Sequence, residues 1–228
     1  SAVERAAALC ERAFGTTDIY LARFVERPRH VEFQILGDRY GNVAHLFERD
    51  CSVQRRYQKM IEEAPAPAVD RSAIDATAAR LADKLATAGY DNIGTVEMLM
   101  DAGGELAFLE MNTRLQVEHG VTEEITGVDL VRAQIRSAAG DRLADILPAR
   151  IAKSGHAIEA RVYAEDPKRF FPSPGKLTVH GADGRASGFP HRGRQIEHSG
   201  AAGRARQRRV QGGQPHTGLV GEVIARNA

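Results

Sequence analysis

Tryptophan is missing from this chain, and cysteine occurs only at Cys10 and Cys51. Two distant thiols, with neither a CxxC nor a Cys/His spacing, give no disulfide framework and no zinc site. No apolar run approaches the ~20 residues that a membrane-spanning helix needs. The opening residues also lack the charged, apolar, small-residue order of a secretory signal, so the expected location is cytoplasmic, with no membrane partner. An excess of one charge is absent too: 31 Lys and Arg stand against 30 Asp and Glu, a formal net charge of +1. No general attraction to nucleic acid is therefore expected. Neither GxxxxGK[ST] nor a GxGxxG following a strand is present, which removes P-loop and dinucleotide-binding proteins from consideration for these residues.

What is there suits a globular protein: 228 residues, 43% hydrophobic and 27% charged, enough for one large domain or two. Ser1 leads directly into a helical pattern of Val3, Ala6, Ala7, Cys10 and Phe14; a start without methionine inside an element reads as a fragment. Apolar runs follow at residues 19–25, at 30–36, where Val31, Phe33 and Ile35 alternate, and at 43–47. Asp38-Arg39-Tyr40-Gly41-Asn42 joins the last two as a hairpin turn. Ile74, Ala78, Leu81, Leu85 and Ala88 predict an amphipathic helix over 70–88, stopped by Gly89. A second is predicted over 128–139, with Thr126 and Asp129 at capping-box spacing and Gly140 as its stop. Helices interleaved with hairpins, without regular βαβ spacing, predict an α+β fold.

The most informative stretch is GTVEMLMDAGGELAFLEMNTRLQVEH, residues 94–119. Its polar residues Glu110, Asn112, Arg114, Gln116 and Glu118 fall on alternate positions, so an extended backbone would present them on one face. Glu97 lies across the turn Asp101-Ala102-Gly103-Gly104, and a suitable hairpin register brings it beside Glu110 and Asn112. Cross-strand neighbours lie roughly 5–8 Å apart, close enough for one cation to bridge both acids. Oxygen-only ligands suit Mg²⁺ or Mn²⁺ rather than zinc. The alternative is an ordinary half-solvated strand, which would favour Lys, Thr and Ser over unlike functional groups.

Residues 48–67, ERDCSVQRRYQKMIEEAPAP, follow neither period and carry Arg49, Arg55, Arg56 and Lys59 beside Glu62 and Glu63. They read either as a soluble loop of mixed charge or, given the apolar Val53, Met60 and Ile61, as a segment lying over a site. In the second reading the fixed cations would meet a polyphosphate or small oxyanion.

PRHVEFQILGDRYGN, ERDCSVQRRYQKMIEEAPAP, GTVEMLM, LEMNTRLQVEHGVTEEITGVDLV and HAIEARVYAEDPKRFFPSPGKL occur in that order. Together they resemble the biotin carboxylase family, over about residues 20–177. The resemblance implies the later part of an ATP-grasp domain at 1–147, the start of a biotin carboxylase C-terminal domain at 148–179, and an aberrant Gly/Arg-rich tail at 180–228. It also implies ATP- and bicarbonate-dependent carboxylation of biotin on a carrier domain, with a carboxyltransferase component as further partner and a homodimer in the full-length protein. Another ATP-grasp carboxylate ligase, or a non-catalytic degenerate fragment, is the alternative.

By the same resemblance, Glu97, Glu110 and Asn112 hold Mg²⁺ (or Mn²⁺) under ATP, with His30, Gln54 and Lys59 at the nucleotide. Arg114, Gln116 and the backbone of Val117 hold bicarbonate. Glu118 is the general base, and Arg161 steadies the enolate of biotin; without the resemblance, Arg161 reads as half of a surface ion pair with Glu159 or Asp166. The family's first lobe, with two ATP-binding lysines and a glycine-rich loop, has no counterpart here, so the chain alone is expected to be inactive. Tyr57 stands where histidine is commoner, Ala22 where an acid is usual, and Gly120 replaces the usual proline. Beyond Val179 the pattern disappears until LVGEVIARNA, which reads as a frame-shifted interval over 180–218. A basic nucleic-acid-binding tail is the rival, weakened by the lack of interleaved aromatics.

Overall fold

Ser1 caps the first helix, α1 (Ala2–Phe14): its hydroxyl accepts from the Glu4 amide while Glu4 reaches back to the N-terminal ammonium. The computed structural model describes residues 1–166 and 169–172; the expected tail at 180–228 lies outside them. Among the described residues, six antiparallel strands form one sheet in the order β5-β4-β1-β2-β3-β6: β1 (Arg29–Gly37), β2 (Val43–Arg55), β3 (Gln58–Ala64), β4 (Asn92–Met100), β5 (Leu106–Asn112) and β6 (Ala157–Ala160). Helices α2 (Arg71–Thr87), α3 (His119–Thr126), α4 (Leu130–Ala139) and α5 (Leu143–Ile146) complete the expected α+β fold.

The central strand β1 is buried on both faces, and its alternation sorts them. Val31, Phe33 and Ile35 join Val96, Met98 and Met100 of β4 beneath Ile74 and Ala78 of α2. Burying side chains of this size stabilises by about 1.5–3 kcal/mol each. On the opposite face, His30, Glu32 and Gln34 are buried although polar. Farther along that face, Leu36 meets Leu130 and Ala133 of α4 and Leu143 of α5, while α3 seats Val121 and Ile125 against Ala64. Helices thus wall off the far end and one side, leaving a cleft over the polar end of β1.

Several expectations change. Residues 48–67 are not a loop: most belong to β2 and β3, a hairpin turning on Arg56 and Tyr57 with φ of 49° and 65°. A two-residue turn of this left-handed kind normally uses Asn-Gly, and Arg-Tyr carries no such turn signal. The run at 19–25 forms no strand; Tyr20, Leu21 and Phe24 are exposed, and the edges of the sheet are taken by β5 and β6. Thr126 is not a cap of α4 but the last residue of α3, which Gly127 ends in the left-handed conformation. Asp129 is the N-cap of α4, accepting from the Arg132 amide at 2.8 Å. No helix among the described residues is long and apolar enough to cross a membrane.

Candidate active site

A row of charge crosses the sheet. Antiparallel register sets Glu110 opposite Glu97, Glu97 opposite Glu32, and Glu32 opposite Arg49. Carboxylates placed directly across from one another repel, and two cations offset that repulsion. Arg49, fully buried, donates Nε to Glu32 Oε1 at 2.6 Å, Nη1 to Gln34 Oε1 at 2.6 Å and Thr122 Oγ1 at 3.0 Å, and Nη2 to Thr95 Oγ1 at 3.2 Å and Gln116 Oε1 at 3.3 Å. All five guanidinium donors are used. Over the row, Lys59 Nζ donates to Glu32 Oε2 at 2.6 Å, Glu97 Oε1 at 2.8 Å and Glu118 Oε1 at 2.6 Å, which uses all three ammonium donors.

This network fixes the protonation states. Burial alone would raise the Glu32 carboxyl, but Arg49, Lys59 and His30 hold it down at about 2. Glu97, likewise pushed up by burial, is drawn well below the usual carboxylate range by His30 and Lys59. Burial disfavours the Lys59 ammonium, yet Glu32, Cys51 and Glu118 raise it well above its ordinary value. Lys59 therefore stays charged throughout the neutral range.

The residues singled out from the sequence converge. Asn112 Nδ2 donates to Glu97 Oε1 at 3.2 Å and Glu110 Oε1 at 3.1 Å, Gln116 Nε2 to Glu97 Oε1 at 2.8 Å, and Arg114 Nη2 to Asn112 Oδ1 at 3.2 Å. They do so for a partly different reason than expected, because β5 stops at Asn112. Beyond it the chain turns, aiming Gln116 and Glu118 inward while Arg114 and Val117 are exposed. His30 Nδ1 lies 3.1 Å from Gln54 Nε2, and its Nε2 lies 3.0 Å from Glu97 Oε2 without hydrogen-bond alignment. Arg161 donates Nε to Glu62 Oε1 at 2.6 Å and Nη2 to Glu118 Oε2 at 2.9 Å, so the carboxylates it hydrogen-bonds are Glu62 and Glu118. From His30 to Arg161, every residue proposed from the sequence lines one cleft of ≈ 860 Å³.

The basic cluster at 49–59 dissolves. Arg49 lies under the site, Arg55 is bound bidentately by Glu165 at 2.6 and 2.8 Å, and Lys59 enters the cleft. Glu32, Arg49 and Glu62 were missed as contributors. The signal for Glu32 was the alternation of His30, Glu32 and Gln34 within an otherwise apolar strand.

The family described as carbamoyl-phosphate synthase L chain, ATP binding domain, matches residues 1–146. The chain belongs to that family of ATP-binding domains. Within it the similarity is to biotin carboxylases: the chain is 55% identical over 169 residues to biotin carboxylase 2 of Bacillus subtilis, covering 73% of this chain and 37% of that protein. The chain thus spans little more than a third of that relative's length. Among solved structures, the biotin carboxylase of Campylobacter jejuni in complex with β,γ-ATP superposes with a TM-score of 0.70 at 43% identity, over 78% of this chain and 40% of that one. The biotin carboxylase domain dimer of Hydrogenobacter thermophilus 2-oxoglutarate carboxylase, bound to MgADP, ADP and bicarbonate, gives 0.68 at 46% identity, over 77% and 41%.

Proposed function

We propose that this chain is the metal- and bicarbonate-binding portion of a cytoplasmic biotin carboxylase, a ligase that uses ATP to carboxylate biotin on a carrier domain. Residues 1–147 would be its share of the ATP-grasp domain and 148–179 the start of the C-terminal domain. The carrier domain, a carboxyltransferase component and a second copy of the full-length protein are the partners this reading carries. The observation that supports it most is Lys59 gripped by Glu32, Glu97 and Glu118 in the cleft that also receives Asn112 and Arg161.

The donor set fits a hard divalent cation: Glu97 and Glu110 offer carboxylate oxygens, and turning the Asn112 amide over would offer its carbonyl oxygen between them. Bound there, Mg²⁺ or Mn²⁺ neutralises phosphate charge. The chain's own groups account for the remaining chemistry. Lys59 meets the oxygens of the transferred phosphoryl group. Glu118 takes the proton of bicarbonate, held by Arg114, Gln116 and the backbone of Val117. A bicarbonate oxygen then bonds to the γ-phosphorus as the bond to ADP breaks, giving carboxyphosphate. This decomposes to CO₂ and phosphate; the phosphate removes the ureido proton, and the biotin nitrogen attacks CO₂. Arg161 holds the oxygen on which negative charge develops, a role whose loss costs about 10²–10³ in rate at comparable sites.

The test joins this chain to the amino-terminal portion of a biotin carboxylase relative and measures ATP cleavage with and without bicarbonate. Cleavage should depend on bicarbonate and fall by about 10²-fold or more in Glu118→Gln. Equal rates with and without bicarbonate overturn the reading.

A further inference from the structure

Arg161 stands between two carboxylates, and the reaction above uses only one of them. Its Nη2 reaches Glu118, while its Nε is held by Glu62 at 2.6 Å. Glu62 is fully buried on β3, and its other oxygen, Oε2, meets no donor among the described residues. On the adjoining strand β6, Glu159 sits directly opposite Glu62, within the influence of Glu118, Arg161, His119 and Arg49. Three carboxylates therefore crowd one guanidinium. Lys59, on the same strand as Glu62, is already committed to Glu32, Glu97 and Glu118. A buried carboxylate with an unmet oxygen is costly, and taking up a proton relieves the cost.

We propose that Glu62 is a positioning residue: it anchors Arg161 through Nε, and by gaining or losing a proton it sets how much guanidinium charge remains for Glu118 and for an anionic ligand. Only the identity of that ligand, the enolate oxygen of biotin, rests on the biotin carboxylase reading. Burial, opposed by Arg161 and reinforced by Glu159 and Glu118, raises the Glu62 carboxyl to about 7. Ionised, Glu62 shares the guanidinium charge with Glu118. Protonated, it still accepts from Nε but leaves that charge to Glu118 and the ligand.

The side-chain Nε–H of Arg161 reports this directly in the nitrogen-15-labelled chain, assigned by its loss in Arg161→Lys. The wild type should show a transition near neutral pH that disappears in the nearly isosteric Glu62→Gln, persists in His119→Gln, and moves to lower pH in Glu159→Gln. A pH-independent wild-type signal, or an unchanged transition in Glu62→Gln, overturns the proposal. In the joined enzyme, Glu62→Gln should remove the near-neutral inflection in kcat for biotin carboxylation while KM for ATP moves by less than about twofold; an inflection that stays also overturns it. A joined wild-type enzyme that cleaves no ATP counts against the function, whereas the Arg161 signal judges Glu62 alone.

Discussion

Arg49 and Glu32 form an ion pair of 2.6 Å in which neither side chain touches solvent. Such a pair overcomes its desolvation cost only when the remaining donors and lone pairs are also met, and here Gln34, Thr95, Thr122 and Gln116 meet them. Arg49→Met should therefore destabilise the chain by about 3–5 kcal/mol, the range for stripping one partner from a buried pair. The readout is a fall in the urea midpoint. Combining Glu32→Gln with Arg49→Met should cost less than Arg49→Met alone, and equal costs would show that charge pairing is not what Arg49 supplies.

The same network gives stability a dependence on acid. Glu32 is held at about 2 against an ordinary value of 4.5. A depressed carboxyl contributes stability that is complete above its unfolded value and is lost as the pH falls through its folded value. The window therefore runs from about pH 4.5 down to about pH 2, and the loss is on the order of 3 kcal/mol. Glu97, also depressed, adds to it in the same direction. In urea titrations the wild type should weaken across this window, and Glu32→Gln should flatten the slope.

Arg56 and Tyr57 turn the β2–β3 hairpin with both residues in the left-handed region, where each L side chain costs roughly 1–2 kcal/mol. Asn-Gly suits this turn. Arg56→Asn with Tyr57→Gly is expected to stabilise by about 1 kcal/mol, seen as a higher Tm, because Tyr57 is almost wholly exposed and surrenders no packing. A lower Tm would mean that the side chains hold the turn rather than strain it.

That hairpin also illustrates what could be read in the sequence. Helices α2 and α4 were legible because their signals are local: Asp70 and Asp129 at the caps, Gly89 and Gly140 at the stops. Glu97 and Glu110 were legible as a pair because one short turn, with the Asp101 carboxylate accepting from the Gly103 and Glu105 amides, fixes their register. Arg49 read as a loop cation facing solvent or an anionic ligand, since nothing near it in sequence says that β2 lies against β1 with α3 above. The Glu62–Arg161 bond joins residues 99 positions apart, and only the assembled sheet brings them together. Helix α3 was hidden for another reason: in RLQVEH the alternation continues past the point where β5 ends.

Glu97 and Glu110 face each other across β4 and β5 but differ in environment, because Glu97 is buried and Glu110 is exposed. Glu97 also anchors Lys59 and Gln116, whereas Glu110 touches only Asn112 in this network. If both hold the divalent cation, either loss should weaken Mn²⁺ binding by about tenfold or more, since each removes one charged oxygen ligand. Stability should separate them. Glu110→Gln should leave the urea midpoint nearly unchanged, as an exposed substitution does. Glu97→Gln should lower it, because Lys59 then sits partly buried with one fewer anion. Mn²⁺ titration followed by electron paramagnetic resonance, on the chain joined to the amino-terminal portion of a biotin carboxylase relative, reads the first effect, and urea unfolding reads the second. Full Mn²⁺ affinity in Glu110→Gln would remove that residue from the metal site and leave Glu97 as its only carboxylate from this hairpin.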